Sequence, residues 1–244
     1  NVQYKFNLMN KLTSFCMFTG LVIGMISCKK TESAVVSKVT EDTVVIENTI
    51  PPLDTNADKE VDINTVNGVF NLENPSTVNW TANNPTSTHV GTINVSKGSL
   101  ELKAGKITSA TFEIDMKSIL STDLKSDDKE KLEGHLKSAD FFEADKYPTA
   151  IFTLKKSLLI KGNDKTRHHI TGDLKIKEVT KTIEFDAYVI VSNNGTLLTA
   201  TTPSFEINRV DYGIKYKSGV INTVKDKIIS DKIGMVINIR AKKA

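Results

Sequence analysis

The 244 residues are 39% hydrophobic and 25% charged, a balance that suits a packed globular fold rather than a disordered chain. There are 32 basic and 29 acidic residues; removing residues 1–27, which hold Lys5 and Lys11 and no acid, leaves 30 against 29. A near-neutral chain with interspersed signs lacks the electrostatic footprint of a nucleic-acid binder, so that partner is set aside.

Lys11 is followed by an apolar run, residues 12–26, interrupted only by Thr, Ser, Cys and Gly. It falls short of the roughly 20 residues that a membrane span needs and has the length of a signal-peptide core. The run ends in Met25-Ile26-Ser27-Cys28 and then Lys29-Lys30. A small residue before a Cys at the end of such a run resembles a bacterial lipobox, in which cleavage precedes the Cys and the Cys is acylated; Met25 stands where Leu is more usual. A plain secretory peptide with an incidental Cys, or a short buried helix, is the blander alternative. Losing Cys16 with the leader would leave Cys28 as the one thiol, with no disulfide to form. The expectation is a lipoprotein signal peptide over 1–27 and lipid attachment at Cys28. The chain would then sit in the bacterial cell envelope, periplasm-facing or surface-exposed on the outer membrane. Residues 28–65, rich in Thr, Ser, Glu and Asp with the Pro51-Pro52 pair, read as a flexible tether.

From residue 66 to 244 period-two alternation recurs, and one domain is expected there. Val78, Trp80 and Ala82 share one face of a strand. His89, Gly91, Ile93 and Val95 share another, before a turn at Lys97-Gly98; Leu100 and Leu102 lead to a turn at Ala104-Gly105. Further strands follow in Ala110, Phe112, Ile114 and Met116; Ala150, Phe152 and Leu154; Ile170, Gly172, Leu174 and Ile176; and Ile183, Phe185, Ala187, Val189 and Val191. Phe205 and Ile207, then Ile233, Met235, Ile237 and Ile239, complete the set. About eight strands with one apolar face each must bury that face and remove their edges, so a closed antiparallel barrel is the economical answer. The one strong helix spans residues 127–136, with Asp127 and Glu130 at capping-box spacing and a thin stripe of Leu132 and Leu136, so it should lie across a barrel end. A weaker helical turn is expected around residues 222–229.

The densest aromatic stretch, residues 131–152, joins that helix to Phe141, Phe142, Tyr147 and Pro148 and then to the Phe152 strand. Burying each aromatic is worth roughly 1.5–3 kcal/mol, so the strands must cover them. With His89-Val90-Gly91-Thr92-Ile93, Phe112-Glu113-Ile114-Asp115-Met116, Thr171-Gly172-Asp173-Leu174 and Ile207-Asn208-Arg209-Val210-Asp211-Tyr212-Gly213, this stretch resembles the YceI family across residues 80–241. Glu178 and Thr182 stand where that family often has Gly and Pro. The resemblance implies an all-β protein with a short helix or two: an eight-stranded, lipocalin-like antiparallel barrel around an apolar cavity. The cavity would hold a polyisoprenoid, quinone-like or fatty-acyl amphiphile. Catalytic residues and cofactors are not implied.

From the residues alone, whether the barrel is hollow stays open. The apolar faces carry Gly91, Ala110, Ala150, Gly172 and Ala187 among large side chains, which makes room for a chain or simply fits barrel taper. The ligand-binding candidates are His89, Phe112, Met116, Phe141, Phe142, Tyr147, Phe152 and Arg209. The aromatics and Met116 serve equally well as core. Arg209 could offer its forked donors to a head group, or pair with Asp211 or another acid. His89 reads more readily as a hydrogen-bonded residue at the barrel mouth than as a ligand contact. Chemistry signatures are missing: there is no nucleophile elbow, and the adjacent His168 and His169 would point to opposite faces of a strand, a weak metal motif. The expected function is therefore an envelope lipoprotein, not an enzyme, that carries or sequesters an amphiphile. Its partners would be that lipid and the membrane, with a homodimer left open. A ligand-free interaction module and an enzyme acting on isoprenoid or acyl substrates are the alternatives.

Overall fold

The computed structural model describes residues 60–160, 167–220 and 228–244. Chain contacts divide the sequence into two units, and every described residue belongs to the second, Ile50–Ala244. Cys28, the leader and most of the tether lie outside the described residues. The tether's last residues are nonetheless packed: a 3-10 turn at Ile63–Thr65 buries Ile63, and the Val61 N–H donates to the Val191 carbonyl at 2.7 Å.

The alternating stretches form antiparallel strands throughout: β1 (Asn67–Asn83), β2 (Thr88–Lys103), β3 (Lys106–Asp115), β4 (Leu120–Ser121), β5 (Thr149–Leu159), β6 (Arg167–Ile176), β7 (Val179–Ser192), β8 (Leu197–Thr201), β9 (Phe205–Asn208) and β10 (Lys232–Lys243). The ladder runs β1-β10-β8-β7-β6-β5-β3-β2, and β1 also pairs with β2, so the sheet closes into a barrel. Eight staves result, because β8 and β9 lie end to end along β10, facing residues 238–242 and 232–235 respectively, while β4 only edges β2.

Two features depart from the sequence reading. The turn expected at Lys97-Gly98 is absent: β2 runs through with an irregularity between Val95 and Lys97. Gly98 is needed there for close approach, since a Cβ would sit 2.3 Å from the Phe112 ring. Helix α1 (Ser126–Lys137) is where the periodicity puts it, but no side chain caps it; Asp127 and Asp128 lie in its first turn, where they suit the helix dipole. Most of the weaker turn expected at 222–229 falls outside the described residues.

One end of the barrel is solid. Phe70, Leu102, Val191, Leu198 and Ala241 have no solvent exposure, and Ile63 and Val66 are buried in the same core cluster. The wall is not evenly zipped. Among the described residues, 188–192 of β7 pair with β8, but 179–187 pair only with β6, and β9 pairs only with β10. A seam without ladder hydrogen bonds therefore runs between β7 and β9, filled by side chains, with Phe185 stacked on Phe205 at 4.7 Å between centroids.

His168 points inward on the face shared with Ile170, Gly172 and Leu174 and is fully buried. Its Nδ1 lies 3.1 Å from Ser157 Oγ, and Nε2 has no protein partner. Burial alone pushes its pKa below the ordinary value of 6.5. The unfolded chain thus binds a proton that the folded chain resists. Neutral His168 contributes fully above about pH 6.5, and its contribution is lost as the pH falls below that value. Denaturation midpoints should drop on acidification below about pH 6.5, and His168→Leu should flatten that limb. Identical pH profiles for the two proteins would show that His168 is not the titrating group.

Candidate functional site

The inward faces of the upper barrel do not meet, and two apolar chambers lie between them. The inner chamber, bounded by residues such as Val95, Leu100, Ala110, Ala187, Val189 and Ile239, contains about 700 Å³ not filled by protein atoms. The roof chamber lies beneath α1 and the aromatic turn, with Trp80, Met116, Leu136, Phe141, Phe142 and Ile233 among its walls. It contains about 940 Å³, and both figures include space open to solvent. Among the described residues the walls are apolar except for Thr202 in the inner chamber and Arg209 and Ser230 in the roof chamber.

The aromatic turn forms the roof because it continues the helix end. The N–H groups of Phe142 and Ala144 donate to the carbonyls of Leu136 and Lys137, which pins both phenylalanines under α1. His135 stands edge-on to Phe141 at 5.0 Å and to Tyr216 at 4.8 Å, tying the helix to the segment after β9. The Arg209 guanidinium lies 6.0 Å from the centre of the Phe141 ring.

Arg209 borders the roof chamber but is only 2% exposed, and its donors turn mainly to its own chain. Nε donates to the Ser230 carbonyl, Nη1 to Ile214, and Nη2 to Ile229 and to Asp231 Oδ1, at 2.9–3.2 Å. Four of five N–H groups are thus engaged by the chain itself. Gly213, at φ 77°, turns the backbone so that the Ile214 carbonyl comes back to the guanidinium. Burial lowers the Arg209 pKa and Asp231 acts against that shift, and an arginine keeps its charge in either case. Arg209 is a knot joining β9, the following turn and the approach to β10. The acid it pairs with is Asp231, not Asp211.

Of the other candidates, Phe112 lines the inner chamber, Met116, Phe141 and Phe142 the roof chamber, and Phe152 both. His89 and Tyr147 line neither. His89 Nδ1 sits 2.8 Å from Asp123 Oδ2 and Nε2 3.3 Å from Ser87 Oγ, clasping β2 to the loop after β4. Burial works against the Asp123 charge, but hydrogen bonds from His89, Ser121 and the Val90 N–H outweigh it and hold the pKa at about 2. Tyr147 is half-buried, with the Lys146 and Lys177 ammonium groups 5.0 and 5.6 Å from its ring centre, so cations rather than a lipid chain cover it. Sequence reasoning passed over Phe185, Ile183 and Ile237 as wall residues, although their inward parity was visible. Among the described residues no group of three or more His, Cys, Asp or Glu could hold a metal ion.

The model of the YceI-like domain family matches residues 53–241. The chain is 30% identical over 133 residues to a UPF0312 protein of Shewanella denitrificans, covering 53% of this chain and 66% of that protein. It is 33% identical over 95 residues to a UPF0312 protein of Staphylococcus aureus, covering 37% and 51%. It thus spans between half and two thirds of the length of these curated relatives. Among solved structures it is similar to BcnA of Burkholderia cenocepacia, with TM-score 0.54, 20% identity and coverage of 68% of this chain and 96% of that one. It is also similar to a polyisoprenoid binding domain from Saccharophagus degradans implicated in plant cell wall breakdown, with TM-score 0.53, 16% identity and coverage of 72% and 99%. At these identities the likeness is one of fold.

If Arg209 is a structural knot, Arg209→Ala should cost about 3 kcal/mol or more in chemical denaturation, by leaving Asp231 and three carbonyls without their donor. Arg209→Lys should recover little of this, because one ammonium cannot reproduce the planar fork. Wild-type stability combined with lost lipid uptake would make Arg209 a head-group ligand instead.

Proposed function

The chain belongs to the YceI-like domain family, and from that premise we propose that it binds a long-chain apolar amphiphile, of polyisoprenoid, quinone-like or fatty-acyl type, inside the barrel. The observation that carries this reading is the pair of chambers, walled among the described residues by aliphatic and aromatic side chains with three polar exceptions. Such walls offer nothing to a polar solute and much to a hydrocarbon, at roughly 25 cal/mol for each Å² of apolar surface removed from water. The description of the Saccharophagus degradans domain as polyisoprenoid binding supports the same ligand class.

With the lower barrel filled and Arg209 engaged by its own chain, recognition rests on the shape and length of the chambers. The polar end of the ligand would lie toward the roof or the β7–β9 seam. The barrel's role is then burial: it keeps a water-insoluble chain dissolved while carrying or sequestering it. We place this activity at the cell envelope on the strength of the Met25-Ile26-Ser27-Cys28 pattern, with Cys28 as the acylated anchor.

Native mass spectrometry of the purified protein, followed by organic extraction, should reveal a stoichiometric long-chain isoprenoid, quinone or acyl species. A clean ligand-free mass that persists after incubation with such lipids would sink the carrier reading and favour an interaction module. For the anchor, Cys28→Ser should move the protein from the membrane fraction to the soluble fraction. Unchanged membrane association would remove Cys28 from that role.

A further inference from the structure

The two chambers share four wall residues: Val78, Ile114, Phe152 and Ile237. Val78 and Ile237 are ladder partners on β1 and β10, and Ile114 and Phe152 lie on the adjacent β3 and β5, nearly across the barrel. These residues mark the level at which the chambers meet. Val78, Ile114 and Ile237 are β-branched and therefore stiff at χ1. Phe152 alone has a large planar side chain that can swing.

The ring of Phe152 rests in a pit made for it. On β6 the neighbouring inward position is Gly172, where a Cβ would lie 2.3 Å from the ring's Cζ. Any other residue there would push the ring into the lumen. On its far side Phe152 meets Phe185 at 5.6 Å with a 53° tilt, and Phe185 stacks on Phe205 across the seam. Three aromatic rings thus run from the junction of the chambers to the unzipped part of the wall. Phe152 is only half-buried although it points inward, as expected of a side chain bordered by empty space above and below.

Resting on the carrier reading above, we propose that Phe152 is a partition that sets the length of the bound chain: short chains occupy the roof chamber alone, and longer ones reach the inner chamber only by displacing the ring from the Gly172 pit. Phe152 would then determine specificity without touching a head group.

The test is a binding series with linear prenyl alcohols of increasing length, from geraniol through farnesol and geranylgeraniol to solanesol, on the full chain. The wild type, Phe152→Ala and Phe152→Leu are compared, with folding checked by circular dichroism. The wild type should show a length optimum. Phe152→Ala should move that optimum to a longer alcohol, changing the ratio of short-chain to long-chain affinity by about tenfold or more. Phe152→Leu, which keeps a buried apolar side chain, should move it less, and it decides the question if the alanine variant does not fold. Ile207→Ala, in the roof chamber away from the junction, should weaken all members alike. Binding with the same length profile in wild type and Phe152 variants would overturn the partition while leaving the carrier reading standing. Absence of binding to every protein would overturn the partition together with the polyisoprenoid form of the carrier reading.

Discussion

The structure depends on one strand hydrogen-bonding on both sides. β1 is 17 residues long and ladders to β10 along one edge and to β2 along the other, which turns an open sheet with two exposed edges into a closed wall. It does so with an irregularity, because its register shifts between Glu73 and Thr77 in the ladder to β10 and between Asn71 and Thr77 in the ladder to β2. Ser76 stitches that irregularity: its hydroxyl donates to the Glu73 carbonyl at 2.8 Å and accepts from the Arg240 N–H at 2.9 Å. Phe70 on one side of the irregularity fills the floor, and Trp80 on the other side walls the roof chamber.

Closure fixes the lumen, and side-chain volume decides how much of it remains empty. The small inward residues are not equivalent. A Cβ at Gly91 would lie 1.9 Å from the Leu120 carbonyl oxygen and 2.5 Å from the Trp80 ring, and one at Gly172 would strike Phe152, so both glycine pits are already occupied. The alanines behave differently. Ala110, Ala187 and Ala200 face the inner chamber and Ala150 the roof chamber. The alanines thus border the empty space, while Gly91 and Gly172 serve packing.

Polar groups are kept out of that space by being satisfied elsewhere. Arg209 is surrounded by its own chain's carbonyls, His89 by Asp123 and Ser87, and the Thr202 hydroxyl accepts the Ile237 N–H where the stave breaks between β8 and β9. Among the described residues, three buried side-chain polar atoms lack a protein partner, and they sit on the rings of Trp80, His168 and Tyr212. Leaving a buried donor unpaired costs about 1–3 kcal/mol, which the burial of a large ring can offset.

Period-two alternation by itself determined the all-β class and most of the strands, because each of those strands buries one face continuously. It did not reveal β8, a short Leu197-Leu198-Thr199-Ala200-Thr201 stretch, nor β4, which is two residues long and held by its ladder to β2. The aromatic turn was legible as buried, since Phe141 and Phe142 had to be covered by something. Tyr147, equally aromatic in sequence, proved to lie outside the chambers under two lysines. Arg209 shared the inward parity of Phe205 and Ile207, yet parity says nothing about which carbonyls a folded chain will bring back to a guanidinium. That the barrel is hollow, that its floor is solid and that Phe152 stands where two chambers meet were decided by tertiary structure. Each depends on which side chains face each other across the lumen, and that pairing is set by stave order and register rather than by any local pattern along the chain.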